Sequence, residues 1–199
     1  SPMSRGLGDV YKRQADTAIM LWLATYRNLI QADQWVRTGN WEKEGAFPLS
    51  KTVQKQKVGI LGLGRIGETI AKRVKAFDAE VHYHSRSKKN NNYQFHASPK
   101  ELAKNVDVLF IITPGGNETK HLVDASVLKA LGTSGTLINI SRGSVVDEKA
   151  LIKALQTGTI GAAGLDVFDA EPVVPNELKN LPNVTPVSYT HLRAHETSE

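Results

Sequence analysis

The sequence predicts an α/β fold in which helices cover both faces of a parallel sheet. Short apolar runs of strand length alternate with segments whose apolar residues recur at helical spacing, from residue 57 to residue 187. Parallel strands need crossover connections, and these place helices on the two faces of the sheet. Every loop with unusual chemistry follows a predicted strand, and ligands of such sheets bind where the strands end. These observations predict a doubly wound sheet with a ligand site along one edge.

A glycine-rich turn joins the first predicted strand, at 57–61, to the helix that follows it. Gly62 permits the tight turn, Gly64 lets a pyrophosphate approach the backbone, and Gly67 lets the helix pack closely on the strand. The N–H groups at the start of the helix then face the phosphates. A glycine-rich turn that binds nothing is the alternative. The dinucleotide-binding residues predicted here are Gly62, Leu63, Gly64, Arg65, Ile66 and Gly67.

The end of the second predicted strand, residues 80–84, carries no acidic residue. A dinucleotide fold that selects NAD places Asp or Glu there to bind the ribose 2′-hydroxyl. A guanidinium group and hydroxyl donors suit a 2′-phosphate instead. We therefore predict NADP as the cofactor, with NADPH preferred over NADH. Arg86 and Ser85 are the expected main contacts, assisted by Ser87 or Lys88, and an exposed polar loop without a ligand is the alternative.

Later strand ends carry groups that suit a small keto acid. Arg142 follows a buried strand at 135–140 and is flanked by serine and glycine. From that position it can hold an α-keto acid through two parallel hydrogen bonds and stabilise negative charge on the carbonyl oxygen. Asp166 ends another predicted strand, and Glu171 stands directly before a proline.

Composition limits the classes of partner. The 199-residue chain has a formal net charge of +5, but its basic residues are scattered among acidic ones, which favours anionic ligands over a nucleic-acid surface. The longest nearly apolar run, Ile19–Ala24, is too short to span a bilayer. The chain has no cysteine, no spacing of His, Asp and Glu that suggests a metal site, and no visible signal peptide. We expect a cytoplasmic protein without a membrane segment.

Residues 1–14 and 188–199 lack the patterns of the rest of the chain. They resemble translated sequencing-adapter ends, so we predict two non-native tails around an internal fragment of a longer protein. Residues 15–50 are predicted to form a helix from Ala15 to about Arg37 and a loop, and residues 51–187 the dinucleotide-binding domain. The helix is apolar over much of its circumference, which predicts cover by a further domain or a partner subunit.

The ordered motifs resemble the D-isomer-specific 2-hydroxyacid dehydrogenase family. The matching segments are the turn at 62–67, Asn-Ile-Ser-Arg-Gly-Ser-Val-Val-Asp at 139–147, and Ala-Gly-Leu-Asp-Val-Phe with Glu-Pro at 163–172. The resemblance covers roughly residues 15–187. It implies a Rossmann-type doubly wound sheet with the family's substrate domain missing. The apolar helix from Ala15 to about Arg37 favours a homodimer in the full-length parent. Segments 85–89 and 113–116 look like the NADP-preferring glyoxylate/hydroxypyruvate reductase branch.

The resemblance also implies a role for each matched residue. Arg142 and Glu171 would be catalytic: Arg142 would bind the substrate carboxylate and carbonyl, and Glu171 would raise the pKa of a catalytic histidine. The family carries that histidine in a Pro-His pair where this chain has Ser188-Tyr189, so we expect the chain alone to be inactive. Neither His191 nor His195 is assigned as catalytic. The remaining cofactor contacts would be Ile112, Thr113, Ile140, Ser141, Arg142 and Asp166, the last bonding the nicotinamide carboxamide.

Three functions remain open at this stage. The first is a fragment of an NADPH-dependent dehydrogenase that reduces glyoxylate, hydroxypyruvate or a related 2-keto acid. The second is a dinucleotide-binding regulatory protein without catalysis, and the third is a methyltransferase with a similar glycine turn. Arg142 and Glu171 favour the enzyme, because a sensor needs neither. A methyltransferase would need an acidic residue after the second strand, which the chain lacks.

Overall fold

A computed structural model describes residues 2–188, with side chains described from residue 10 onward. Within this range seven parallel strands form one sheet in the order β3-β2-β1-β4-β5-β6-β7. This arrangement confirms the predicted doubly wound parallel sheet. The strands are β1 (Lys57–Leu61), β2 (Glu80–His84), β3 (Gln94–Phe95), β4 (Val108–Ile111), β5 (Thr136–Asn139), β6 (Ala162–Leu165) and β7 (Val184–Pro186).

Helices cover both faces of the sheet because the strands are apolar on both faces. In β4, Phe110 belongs to the core cluster under the first and fourth helices, and its neighbour Leu109 belongs to the cluster under the fifth to seventh helices. The helices are α1 (Pro2–Tyr26), α2 (Leu29–Arg37), α3 (Asn40–Glu44), α4 (Arg65–Val74), α5 (Pro99–Lys104), α6 (Ala125–Leu131), α7 (Glu148–Gln156) and α8 (Asn176–Asn180).

Side-chain caps fix where α5 and α6 begin. The Ser98 hydroxyl accepts a hydrogen bond from the Glu101 N–H at 3.2 Å, and the Glu101 carboxylate accepts one from the Ala97 N–H at 3.1 Å. Asp124, rather than Ser126, caps α6, and its carboxylate accepts from the N–H of Ser126 at 2.9 Å. The hydrogen bond from the Ser126 hydroxyl and those from the helix backbone lower the pKa of Asp124.

The expected single helix from Ala15 to about Arg37 starts earlier than predicted and is interrupted, although its second part does end at Arg37. α1 begins at Pro2, inside the segment predicted to be a non-native tail, and it ends at Tyr26. Asn28 then adopts the left-handed conformation, with φ of 50°, and α2 starts in a new direction. The loop predicted after Arg37 contains α3, and β3 had no predicted counterpart. Within residues 2–188 no helix combines the length and the hydrophobicity needed to cross a membrane.

The apolar side of α1 packs inside this chain. Trp22 is fully buried and meets Tyr26, Phe77 and Phe110 edge to face, with ring centroids 6.1, 5.3 and 6.0 Å away. We expected a further domain or a partner subunit to cover this helix. On this side of α1 the cover comes instead from α4 and the sheet of the same chain. By contrast, none of the residues of α2 is buried.

Replacing Trp22 with alanine should lower the free energy of unfolding by roughly 3–5 kcal/mol, because it empties a packed aromatic site. The matched control is Trp41→Ala, which removes a tryptophan that is 61% exposed. That change should alter stability by no more than about 0.5 kcal/mol. Urea unfolding followed by circular dichroism measures both values, and equal losses would contradict the packing described for α1.

Candidate functional site

A cleft of about 880 Å³ lies at the edge of the sheet where β1, β2 and β4 end. It runs into a smaller cavity of about 570 Å³ that reaches the loop after β5. Ile66 and the loop 112–116 line both cavities, so the two adjoin, and together they are called the groove. The predicted residues that line this groove are Gly62, Leu63, Gly64, Arg65, Ile66, Ser85, Arg86, Ser87, Ile112, Thr113, Ile140, Ser141 and Arg142.

The glycine turn has three different local environments. Gly62 has φ of 104°, a conformation that glycine adopts without strain. A methyl group on Gly67 would lie 2.5 Å from the Gly62 carbonyl oxygen, so the helix packs here backbone to backbone. A methyl group on Gly64 would meet no atom within 4 Å. The turn is therefore crowded at Gly67, where the helix meets the strand, and open at Gly64. There the first N–H groups of α4 leave room for a phosphate.

The loop after β2 brings positive charge and hydroxyl groups to the cleft. Ser85, Arg86 and Ser87 all line it, and the Ser85 hydroxyl donates to the Ser87 carbonyl at 2.7 Å. Arg65 and Lys89 add two further cations to the lining, against a single acidic side chain, Glu118, among the described lining residues. This balance favours an anionic ligand.

Four histidines lie within residues 2–188. His82 is buried, and its Nε2–H donates to Glu80 at 3.0 Å while its Nδ1 lies 2.9 Å from Nε2 of His96. Burial lowers the pKa of both imidazoles. His84 lines the cleft, and its Nδ1–H donates to the His96 carbonyl at 2.9 Å. His121 is exposed and has φ of 52°.

Arg142 sits in a loop that β5 holds by side-chain hydrogen bonds. The Asn139 amide oxygen accepts from the Ser141 N–H and hydroxyl, both at 3.1 Å, and the Asn139 amide nitrogen donates to the Arg142 carbonyl at 3.2 Å. The Arg142 guanidinium donates to the Ser141 carbonyl at 2.7 Å. Its stem lies against Gly115, where a methyl group would come within 2.9 Å of Cγ. These contacts hold the arginine at the wall of the smaller cavity.

The acidic loop after β6 docks directly on the Arg142 loop. A side chain at Gly143 would overlap the backbone of Phe168, so the two loops touch without a side chain between them. The Glu171 carboxylate accepts from the Phe168 N–H at 2.9 Å and is exposed, whereas Asp166 is fully buried. Within residues 2–188, neither carboxylate lines the two cavities. The structure therefore brings the loops together but leaves the predicted roles of Asp166 and Glu171 as predictions.

Other residues of the groove were not predicted from the sequence. Tyr11 and Gln14 line it from α1, and the Tyr11 hydroxyl accepts a hydrogen bond from the Arg65 guanidinium. The Thr119 hydroxyl donates to the Pro114 carbonyl at 2.7 Å and closes the loop after β4, a contact without a sequence signature. Tyr189, His191 and His195 lie outside the described residues. The expected absence of the Pro-His pair therefore stays a prediction.

Comparison with known proteins gives a consistent result. The sequence model described as D-isomer specific 2-hydroxyacid dehydrogenase, NAD binding domain, matches residues 19–190. Glyoxylate/hydroxypyruvate reductase A of Arabidopsis thaliana is 48% identical over 171 residues, which cover 85% of this chain and 54% of that protein. Hydroxyphenylpyruvate reductase of Plectranthus scutellarioides is 49% identical over 171 residues, with the same two coverages.

A solved structure gives the same comparison in three dimensions. The crystal structure of the NADPH-dependent glyoxylate/hydroxypyruvate reductase from Sinorhizobium meliloti, in complex with NADP and malonate, superposes with a TM-score of 0.88 and 48% identity. The match covers 90% of this chain and 57% of that one. The chain thus spans slightly more than half the length of these relatives.

Gly67 is crowded and Gly64 is open, so substitution by alanine should have different effects at the two positions. Gly67→Ala should destabilise the fold by about 1–3 kcal/mol, because the methyl group meets the Gly62 carbonyl. Gly64→Ala should change stability by less than about 1 kcal/mol but weaken NADPH binding about tenfold or more, because the methyl group enters the open space in which the sequence predicts a pyrophosphate. Thermal melting and fluorescence titration separate the two effects. Unchanged NADPH affinity in Gly64→Ala would argue against phosphate binding at this turn.

Proposed function

This chain belongs to the D-isomer specific 2-hydroxyacid dehydrogenase family through its NAD-binding domain, and we propose that it is the cofactor domain of an NADPH-dependent reductase of small 2-keto acids. Glyoxylate and hydroxypyruvate are the proposed substrates, in line with the names of the similar proteins. The observation that carries the proposal is the pair of adjoining cavities whose lining runs from Arg86, past the glycine turn, to Arg142.

The residues present fit a dinucleotide in its proposed orientation. The open space above Gly64 and the start of α4 would take the pyrophosphate. At one end, Ser85, Arg86 and Ser87 would bind the 2′-phosphate of the adenosine ribose. At the other end, Ile140 and Ser141 would flank the nicotinamide, with the buried Asp166 near its carboxamide. When bound, the reduced cofactor supplies a hydride to the keto carbon.

Arg142 is the proposed substrate anchor. Its planar guanidinium can bind the substrate carboxylate and stabilise the charge that develops on the carbonyl oxygen. Asn139 and Gly115 support this role because they fix the backbone and the stem of the arginine. Glu171 is proposed to orient a histidine that donates the proton to that oxygen, and its loop already contacts the Arg142 loop at Gly143.

The cellular location and the oligomeric state of the parent protein are part of the same proposal. We infer a cytoplasmic homodimer, which is supported by the absence of cysteine and by exposed apolar side chains on α2. Leu29, Ile30 and Val36 are 56%, 47% and 55% exposed.

The 199-residue chain should bind NADPH more tightly than NADH in parallel fluorescence titrations. Arg86→Ala should weaken NADPH binding about 10- to 100-fold and leave NADH nearly unchanged, because a charge-assisted hydrogen bond to phosphate is lost. The matched control is Arg37→Ala, which removes an exposed cation of α2 paired with Asp33. Equal affinity of the starting protein for the two cofactors would refute the 2′-phosphate site.

Catalysis is tested in a chimera that joins residues 15–189, carrying Ser188→Pro and Tyr189→His, to the substrate domain of a related reductase. It should reduce glyoxylate or hydroxypyruvate with NADPH, whereas the chain as given should bind NADPH without turnover. In the chimera, Arg142→Lys should lower kcat/KM by about 100-fold, because lysine lacks the planar fork. A chimera that binds NADPH and reduces neither acid would remove the main support for the enzyme.

A further inference from the structure

We propose that Tyr83 is a positioning residue for cofactor choice, which holds the loop 84–89 in the shape that receives the 2′-phosphate. The inference rests on the proposed NADPH function. Tyr83 lies in β2, one residue before the loop begins, and is fully buried. Its ring packs against Phe95 of β3, with centroids 5.4 Å apart.

The hydroxyl of Tyr83 bonds the backbone at the far end of the loop. It accepts a hydrogen bond from the Lys89 N–H at 2.8 Å and donates to the Lys89 carbonyl at 3.3 Å. A buried phenol needs such partners, and here one residue supplies both. Tyr83 thus ties the exit of the loop to the strand from which the loop leaves.

The residues proposed to bind the phosphate lie between two fixed points. At the entrance, the His84 ring donates to the His96 carbonyl at 2.9 Å, and at the exit Lys89 is held by Tyr83. Within the loop, the Ser85 hydroxyl closes on the Ser87 carbonyl at 2.7 Å. Ser85, Arg86, Ser87 and Lys89 all face the cleft.

The fixed shape of the loop 84–89 affects NADPH binding more than NADH binding. A loop already held in its binding shape loses less conformational freedom when its arginine and serines engage a phosphate. NADH carries a hydroxyl at that position and makes no ion pair with the loop. Loss of the Tyr83 hydroxyl therefore weakens NADPH binding selectively, whereas a general loss of stability weakens both cofactors alike.

The chain offers a matched control at the opposite end of the strands, where β1 and β4 begin. Tyr26 is also buried, and its hydroxyl donates to the Gln56 side chain at 3.1 Å and lies 3.4 Å from the Asp107 carbonyl. Burial raises the pKa of Tyr26 to about 12. Tyr26→Phe removes a comparable group on the side of the sheet that lies away from the cleft.

The test compares NADPH and NADH affinities of the full 199-residue chain and its variants, with thermal melting as a check of folding. Tyr83→Phe should weaken NADPH binding about tenfold and NADH binding less than about twofold. Tyr26→Phe should leave the ratio of the two affinities unchanged, whatever it does to the melting temperature. An unchanged ratio in a folded Tyr83→Phe protein overturns the inference.

A second pair of variants reaches the same bond from the loop side and leaves the core intact. Lys89→Pro removes the N–H that donates to Tyr83, and Lys89→Ala keeps it while removing the ammonium group. The inference requires a larger loss of NADPH preference in the proline variant than in the alanine variant. This pair decides the matter if Tyr83→Phe does not fold, and equal losses in the two variants overturn the inference.

The proposed function and this inference fail in different ways. A starting protein that binds neither cofactor, or both equally, refutes the proposed NADPH site and the role of Tyr83 with it. A starting protein that prefers NADPH, with the preference intact in Tyr83→Phe and Lys89→Pro, refutes only the role of Tyr83.

Discussion

The first turn of α4 can lie against the end of β1 only because Gly67 has no side chain. The Gly62 carbonyl occupies the place where a Cβ would stand. This contact sets the direction in which α4 leaves the sheet, and with it the direction of the N–H groups at its start. The groove is built outward from that point, since the loops after β2 and β4 form its other walls.

Glycine contacts also join the loops that carry the chemistry. Gly115 meets the stem of the Arg142 side chain. Gly143 meets the backbone of Phe168, with no side chain between these two loops. Contacts of this kind tolerate little repacking, because a backbone cannot change rotamer to make room. At the wall of the smaller cavity, the close approach that glycine permits therefore fixes the geometry more than the polar groups exposed there do.

Much of the fold could be predicted because buried parallel strands leave a direct signal. The strands expected at 57–61 and 80–84 are β1 and β2, and the strand expected at 135–140 contains β5. The break at Asn28 had no glycine or proline to announce it, and β3 is two residues that count as a strand only through their pairing with β2. In the site, each chemical group could be placed at a strand end, but contacts between loops, such as that of Tyr83 with Lys89, depend on three-dimensional closure.

The two outer strands of the sheet have a consequence for association. β3 is only two residues long, and β7 contains Pro186. Because the Val187 N–H donates inward to Leu165, the nitrogen of Pro186 faces the free edge, where proline has no hydrogen to offer. Within residues 2–188, neither edge presents a long ladder of unpaired backbone groups to another molecule. The sheet is thereby protected against edge-to-edge aggregation.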